Sequence, residues 1–419
     1  MRNLGTFAAL SLVGLVGCGG SQEPAAAPLA PPPPVASVTP ASTPAEAKKE
    51  EPKPVPLTAD QKLKFYQEGW AAFNAKDLTK FQSLVFADNA SSEHLDMGPP
   101  LVGASNIIEQ GIKPFVTAFP DATGELELTL LNGNTLVGLV LFRGTQTGTL
   151  VTPNGPVPPT GKKIGLYSAH IVELNDAGKA QKEIMADDGG TMAGQLGLMN
   201  MPHRKVIETG WAEKPVVVAS GSDGEKANVA AFTKEVEGFN KHDAAGALGT
   251  AADDIVFSEM SAPADRVGKK EALKGVEEMF KGFPDAKLDI KSVWGAGDYV
   301  VATGTWTGTN TGDIPSMKLK KTGKAVTQQF VEIDKFAAGK TKNIWLFSNG
   351  AAAAAQLGLM PPPGAPKGKE AKPLATKPEA KPAAAKPEAA AKPAMKPAEP
   401  AMKAAAAPAA AAKPATPAK

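Results

Sequence analysis

The sequence QLGLM stands at residues 195–199 and again at residues 356–360, 161 positions further along the chain. Chance identity of five consecutive residues is rare, so this recurrence indicates an internal repeat. Further motifs occur twice in the same order. They are Asn-x-(Lys/His)-Asp at 74–77 and 240–243, FPDA at 119–122 and 283–286, GTxTG at 144–148 and 308–312, and TGK at 160–162 and 322–324. The repeat predicts two homologous domains, each of which ends at QLGLM.

The order of elements can be predicted within each copy. Thr58 and Gln61 form a capping box at the start of the first helix, and apolar residues then recur at helical spacing. These residues are Leu63, Tyr66, Trp70 and Phe73 in the first copy, and Val229, Phe232, Val236 and Phe239 in the second, 166 residues later. FPDA predicts the end of a later helix, because proline does not extend a helix comfortably. Alternating, β-branched runs after FPDA predict strands joined by tight turns.

Helices followed by a meander of strands predict an α+β fold. We expect two tandem cone-shaped α+β barrels, at about 58–202 and 225–362, joined by a linker at 203–224. In each cone, three N-terminal helices would pack on a curved antiparallel sheet and enclose a pocket. We also expect the two domains to pair with each other as an internal pseudo-dimer.

The N-terminal sequence predicts secretion and lipidation. An apolar run of about a dozen residues follows Arg2, which is too short to span a bilayer and is typical of a signal peptide over residues 1–18. It ends at Leu-Val-Gly-Cys, which resembles the lipobox of bacterial lipoproteins, so Cys18 would be acylated and attach the chain to a membrane. The alternative is an ordinary signal peptide with an incidental thiol. We expect a location in the cell envelope, at the outer rather than the inner membrane, facing the periplasm or the exterior.

Two segments lack the apolar content that a folded core requires. Residues 19–56 are rich in Pro and Ala and predict a disordered tether, and residues 363–419 predict a disordered Lys/Pro/Ala-rich tail. From residue 361 onwards the chain has 11 Lys and 4 Glu, hence a charge of +7, whereas the whole chain is formally +2. A solvated spacer is the favoured interpretation of this tail, and contact with an anionic envelope surface is the alternative. Aromatic residues do not alternate with the basic ones, so we expect no nucleic-acid partner.

Several kinds of chemistry find no support in the sequence. The four histidines, at positions 94, 170, 203 and 242, have no metal-site spacing, and Cys18 is the only cysteine. Phosphate-binding GxxxxGK[ST] and GxGxxG motifs are absent. We therefore expect neither a metal nor a cofactor.

The repeated motifs together resemble the SnoaL-like family, the polyketide cyclase and ester cyclase group of the nuclear transport factor 2-like cone fold. The resemblance covers nearly all of both globular halves. It implies a cofactor-independent aldol-type ring closure, in which a pocket carboxylic acid seven residues before the terminal Gln transfers the proton. That position is Asp188 in the first copy and Asn349 in the second. An amide does not exchange protons near neutral pH, so the second copy would be unable to run this mechanism.

Other family positions also differ between the copies. The resemblance implies a histidine within GTxTG, but this chain has Gln146 and Asn310 there. It implies Trp four residues before the acid, a position that Ile184 and Trp345 occupy. The resemblance therefore implies that neither copy has the complete set of family residues.

Two residues of the first copy are candidate catalytic groups. Asp188 could act as the acid or base, contact a ligand, or cap the small-residue helical turn that follows it. His170 could supply a second titrating group, or it could be a satisfied core residue. The candidate ligand-binding residues can equally be explained by packing or hydrogen bonding. They are Tyr66, Trp70, Gln146 and Tyr167 in the first copy, and Trp306, Asn310, Trp345 and Asn349 in the second.

Two functions are consistent with these observations. The first is an envelope lipoprotein that binds a small apolar molecule in its cone pockets without catalysis. The alternative is a cyclase or isomerase of polyketide type that is active in the first domain only, with Asp188 as acid and base. Secretion favours binding, because polyketide assembly takes place in the cytosol.

Overall fold

The computed structural model describes residues 56–95, 97–152, 155–199 and 202–359. The predicted signal peptide, the lipidation site at Cys18, nearly all of the tether, and the tail lie outside these ranges. Each of the two domains consists of helices packed on one large sheet, and the first domain has a further two-stranded sheet; this confirms the predicted α+β fold class.

The first domain begins with its helices, and most of its strands follow. Its helices are α1 (Ala59–Asn74), α2 (Leu78–Val85), α3 (Ala104–Asn106), α4 (Lys113–Ala118) and α5 (Gly189–Gln195). Its strands are β1 (Phe86–His94), β2 (Leu101–Val102), β3 (Thr123–Asn132), β4 (Thr135–Thr145), β5 (Leu150–Thr152), β6 (Gly155–Val157), β7 (Lys163–Leu174) and β8 (Ala180–Ala186).

The linker and the second domain repeat this order. The linker contains β9 (Val216–Val218). The helices that follow are α6 (Asp223–Asn240), α7 (Ala244–Ala247), α8 (Lys269–Gly282) and α9 (Gly350–Gln356), with a 3₁₀ turn at Pro315–Met317. The strands are β10 (Ala251–Glu259), β11 (Arg266–Val267), β12 (Lys287–Ala296), β13 (Tyr299–Thr309), β14 (Ala325–Ala337) and β15 (Lys340–Phe347).

The sheets are mixed, whereas the sequence predicted wholly antiparallel ones. The strand orders are β2-β1-β8-β7-β4-β3-β9 and β11-β10-β15-β14-β13-β12. β1 runs parallel to β8, and β10 runs parallel to β15. β1 has no recognisable strand signal, because its sequence FADNASSEH is largely polar and lacks the alternation that identifies a strand.

Local signals set the helix ends. Thr58 and Gln61 form the predicted capping box, and Ser222 with Glu225 forms a second one at the start of α6. α4 and α8 end directly before the two FPDA motifs, as predicted.

The helix before FPDA differs between the domains by one residue. The chain has 15 residues between Gly103 and Phe119, but 14 between Gly268 and Phe283. The second domain forms the continuous helix α8, whereas in the first domain a π-helical segment, Ile107–Ile112, separates α3 from α4. A π segment accommodates one extra residue within a helix without displacing its two ends.

The two sheets pack against each other through the faces that point away from their helices. One core cluster contains buried residues of both domains. Its members include Leu128, Leu130, Val137, Leu139, Ala169 and Ile171 of the first domain, and Val301, Val331, Ile333, Trp345 and Phe347 of the second. We call this cluster the interdomain core.

The linker contributes to the interdomain core and to the first sheet. β9 adds to the first sheet by pairing parallel with β3, and Trp211 packs on Trp345 with ring centroids 5.0 Å apart. The buried carboxylate of Glu127 accepts hydrogen bonds from the Trp211 backbone N–H and from the Lys214 ammonium. Among the described residues, no helix has the length and apolar character needed to cross a membrane.

Candidate ligand cavity

A cavity of about 330 Å³ lies inside the second domain, between its helices and the concave face of its sheet. This volume lies within the range of small-molecule sites in proteins. The lining is mainly apolar. Its apolar and aromatic members include Phe232, Val236, Phe239, Ala247, Phe257, Val276, Met279, Leu288, Trp306, Phe330, Ile344 and Leu346. The end of the first domain contributes Asp188, Gly190, Met199 and Pro202.

The matching positions of the two domains can be identified from their hydrogen bonds. Asn74 at the end of α1 donates its side-chain amide to the Gly124 carbonyl, and Asn240 at the end of α6 donates to Leu288 in the same way. Trp70 and Val236 therefore match, because each lies four residues before its asparagine. Phe81 and Ala247 match as well, since their N–H groups bond to the carbonyls of Asp77 and Asp243, the first residues of equivalent turns.

Side-chain volume at these matching positions explains why the second domain has a cavity. In the first domain Trp70, Phe73 and Phe81 pack on one another, with ring centroids 5.5–6.3 Å apart. Gly124 makes room for the Trp70 indole, because a Cβ at that position would overlap the ring. In the second domain Val236 and Ala247 leave this volume unfilled and line the cavity.

Three acidic residues meet at the cavity wall, and we call them the carboxyl cluster: Glu235 on α6, and Glu332 and Asp334 on β14. Glu235 and Glu332 line the cavity, and Asp334 lies two residues further along the same face of β14. Glu235 is 8% exposed and Asp334 is 1% exposed. Glu235 accepts hydrogen bonds from the N–H and the hydroxyl of Thr250, at 2.8 and 2.7 Å. No N–H group of a described residue donates to the Asp334 carboxyl, which interacts with the carboxyl of Glu332.

Burial and mutual repulsion favour the protonated forms of these acids. Burial, reinforced by the Glu235 charge, raises the pKa of Glu332 to about 7. The pKa of Asp334 is raised well above its ordinary value by burial and by the charges of Glu332 and Glu235. Burial also raises the pKa of Glu235, although its bonds from Thr250 and the charge of Lys269 oppose the shift. The carboxyl cluster therefore holds protons near neutral pH that isolated carboxyl groups would release.

Other polar groups of the lining form their own pair. The Arg266 guanidinium donates to Glu259 at 3.1 Å, and both residues line the cavity. In the part of the chain that the structure describes, no Lys or Arg forms an ion pair with a member of the carboxyl cluster. Among the same described residues, no group of three or more His, Cys, Asp or Glu side chains is arranged to bind a metal ion.

His170, a candidate catalytic residue, belongs to a buried series of hydrogen-bonded side chains inside the first domain. Its Nδ1 lies 2.9 Å from the Glu183 carboxylate, and the Ser92 hydroxyl donates to the other oxygen of Glu183 at 2.9 Å. The His170 Nε2 and the Tyr66 hydroxyl are buried and accept or donate no hydrogen bond among the described residues. Trp70 packs edge-on against the His170 ring, with centroids 5.4 Å apart. Tyr66, Trp70 and His170 thus lie together in the interior of the first domain.

Asp188 and Asn349 occupy equivalent positions where the two domains meet. Asp188 accepts hydrogen bonds from the N–H of Thr191, in the first turn of α5, and from the N–H of Gly350 in the other domain. Asn349 caps α9 by accepting from Ala352, and it donates to the Leu95 carbonyl of the first domain. Burial raises the pKa of Asp188, although these hydrogen bonds oppose the shift.

Gln146 and Asn310 are buried and bond to the backbone of nearby loops. The Gln146 amide lies 3.2–3.4 Å from the carbonyls of Gly148, Val157 and Pro158, and its oxygen accepts from the Thr160 hydroxyl at 2.7 Å.

Asn310 makes the equivalent contacts in the second domain. Its amide donates to the carbonyls of Gly282 and Gly312, and its oxygen accepts from the N–H of Thr322. Both side chains therefore connect the end of a strand to the loop that carries TGK.

The remaining predicted aromatic residues occupy two different surfaces. Trp306 lines the cavity and packs edge-on against Phe283, with centroids 4.9 Å apart. Tyr167 and Trp345 lie on the opposite face of their sheets, where both rings contact Trp211 of the linker.

Sequence reasoning missed Glu235, Glu332 and Asp334. The signal of Glu332 and Asp334 in one dimension is VEID at 331–334, where acids alternate with apolar residues as they do in many half-exposed strands, and Glu235 lies outside that stretch. The alternation predicts solvent on the acidic side, but α6 covers that side.

Comparison with known protein families identifies one family. The family of SnoaL-like polyketide cyclases matches the chain twice, at residues 61–196 and 227–357. Among curated proteins, none matches this chain.

Solved structures also match the chain, and each of them matches a stretch about as long as one of the two domains. AclR from Streptomyces galilaeus is 28% identical, covering 33% of this chain and 88% of its own, with a TM-score of 0.29. A SnoaL-like protein from Jannaschia sp. CCS1 is 20% identical, covering 33% and 97%, with a TM-score of 0.31. A nuclear transport factor 2-like protein from Burkholderia pseudomallei is 17% identical, covering 31% and 97%, with a TM-score of 0.28.

Proposed function

We propose, from the premise that the chain belongs to the SnoaL-like polyketide cyclase family, that its second domain binds a small, mainly apolar molecule without converting it. The observation that carries this proposal is the cavity of about 330 Å³ with its aromatic and aliphatic lining. An apolar ligand gains free energy by leaving water for such a lining. The proposal is limited to the second domain, because Trp70 and Phe81 fill the matching volume of the first.

A direct binding measurement tests the proposal. Titration calorimetry with naphthalene-2-methanol, a neutral molecule of suitable size, should give saturable binding to the purified protein. Ala247→Phe should weaken this binding at least tenfold, because it introduces the ring that Phe81 provides in the first domain. Ala245→Phe is the matched control, since Ala245 lies on the same short helix but is exposed. Absence of binding to the wild type, or equal binding to both variants, would rule the proposal out.

The proposed binding protein is attached to a bacterial membrane through acylated Cys18, with the outer membrane as the favoured site. The support is the lipobox-like sequence that ends at Cys18, the only cysteine of the chain. Each buried acyl CH₂ contributes about 0.8 kcal/mol, so two or more chains hold a protein firmly. Cys18→Ala should move the protein from the membrane fraction to the soluble fraction of cells. Continued membrane fractionation of this variant would contradict lipidation.

A second candidate function is the cofactor-independent cyclisation of the family, with Asp188 as acid and base. The observation in its favour is that Asp188 lines the cavity while burial raises its pKa. Such a carboxylate would remove a proton from the carbon beside a ketone and return one. Incubation with 2-tetralone in D₂O, followed by NMR, would then show faster deuterium uptake beside the carbonyl. Asp188→Asn should abolish the acceleration; an acceleration that survives this change excludes Asp188.

A further inference from the structure

The carboxyl cluster is an unusual wall for an otherwise apolar cavity. Glu235, Glu332 and Asp334 place three acids beside aromatic rings, and Asp334 is 1% exposed with no described cation or N–H group bonded to it; its carboxyl interacts with that of Glu332. Buried carboxylates are normally paired with a cation or fully hydrogen-bonded, because desolvation of an unpaired charge is costly. Near neutral pH protons neutralise these acids, and a cation from outside the chain would take the place of a proton.

The surrounding residues indicate which kind of cation fits. The described residues contain no converging set of three metal-ligating side chains, and the lining around the acids is aromatic and aliphatic. Phe232, Trp306 and Phe330 belong to this lining. Aromatic faces attract ammonium groups, and an alkyl or aryl body would occupy the apolar remainder of the cavity.

We propose that the ligand of the second domain is an apolar amine, whose ammonium group is held by Glu332 and Glu235 with Asp334 behind them. This inference rests on the proposed binding function and specifies its ligand class. Glu235 and Glu332 line the cavity from opposite elements, helix α6 and strand β14, so both can contact one ammonium group. Asp334 lies behind them on the same face of β14, and no described Lys or Arg forms an ion pair with it.

The proposal predicts how binding depends on pH. The charged groups that act on the carboxyl cluster are its own three members and Lys269, and the Arg266–Glu259 pair and Asp188 lie in the same lining. Since the cluster retains a proton near neutral pH, an ammonium group must displace that proton when it binds. Affinity for an amine should therefore rise from pH 6 to pH 8.5, while affinity for a neutral analogue should change little.

Two ligands of the same shape test the proposal. Calorimetry at pH 8 should show naphthalen-2-ylmethanamine binding at least tenfold more tightly than naphthalene-2-methanol. Glu332→Gln should bring the ratio of the two affinities close to one, and Asp334→Asn should also lower it. Glu237→Gln is the control, because this exposed residue of α6 should leave the ratio unchanged.

The outcomes separate this proposal from the binding function itself. Equal affinity of the wild type for both ligands overturns the amine proposal while the binding function stands. If neither ligand binds, both proposals fall. If Glu332→Gln lacks a folded circular dichroism spectrum, the test rests on the ratio of amine affinity to alcohol affinity in Asp334→Asn. A ratio equal to that of the wild type overturns the amine proposal.

Discussion

Glu332 carries a half-buried carboxyl group in the cavity lining, and its protonation must be linked to folding. Its pKa is raised from 4.5 to about 7 in the folded chain. Between these two values the folded protein holds a proton that the unfolded chain releases, so a rise in pH favours unfolding. The contribution of Glu332 to stability is therefore most favourable below pH 4.5 and is progressively lost up to about pH 7. Asp334 and Glu235 act in the same direction, because burial raises their pKa values too.

We expect Glu332→Gln to stabilise the protein above pH 7 and to have little effect near pH 4.5. A neutral amide of the same shape removes the cost of ionising a buried group, on the order of 1–3 kcal/mol at about 1.4 kcal/mol per pKa unit. Thermal unfolding followed by circular dichroism from pH 4.5 to 8 would measure the difference from the wild type. Glu237→Gln, on the exposed side of α6, should follow the wild-type curve. A Glu332→Gln curve parallel to the wild type would contradict the raised pKa.

Asp188 bonds to two backbone N–H groups, one in each domain, and its removal should cost stability. We expect Asp188→Ala to lower the free energy of unfolding by about 0.5–2 kcal/mol, the usual cost of a lost helix cap. Asp188→Asn should change it little, because Asn349 shows that an amide oxygen caps the matching helix, accepting from Ala352 at 3.1 Å. Urea unfolding of both variants measures this. A large loss in Asp188→Asn would show that the charge itself is needed.

The third helix of each domain offers a prediction about whole elements. Deletion of Gln110, an exposed residue of the π segment, should leave the first domain folded with a continuous helix like α8. Deletion of Glu277, an exposed residue of α8, should destabilise the second domain strongly. Because α8 has no surplus residue, the deletion would rotate the apolar side chains on one side of it away from the domain interior. Melting temperatures of the two deletion variants test the contrast. Similar losses in both would show that the π segment is a required part of the first domain.

Most of the elements could be predicted from local sequence signals, but the site could not. Capping residues, Phe-Pro-Asp and strand alternation act within a few residues, so they identify helix ends and strands directly. The cavity depends on volume at positions that meet only in three dimensions, such as Val236 and Ala247. The carboxyl cluster joins α6 to β14, whose acids Glu235 and Glu332 are 97 residues apart.

At the scale of the whole molecule, the interdomain core ties the two copies together. It buries residues from both sheets, together with Trp211 of the linker, which packs on Trp345. Polar contacts add to it: Asn349 donates to Leu95, and the Thr191 hydroxyl donates to the Met260 carbonyl. The acceptors Leu95 and Met260 are matching positions, and each is bonded by the helix-start turn of the other domain, although the donors are not matching residues. The domains should therefore unfold together.

We expect the wild type to show one cooperative thermal transition and Val301→Asp to break it. Val301 is 1% exposed in the interdomain core, so an aspartate there would be buried without a partner. The substitution should lower the melting temperature by many degrees and separate the unfolding of the two domains into two transitions, which calorimetry would resolve. Val267→Asp is the matched control, because Val267 is 64% exposed and should tolerate the charge. A single transition at the wild-type temperature in Val301→Asp would mean that the two sheets contribute little to each other's stability.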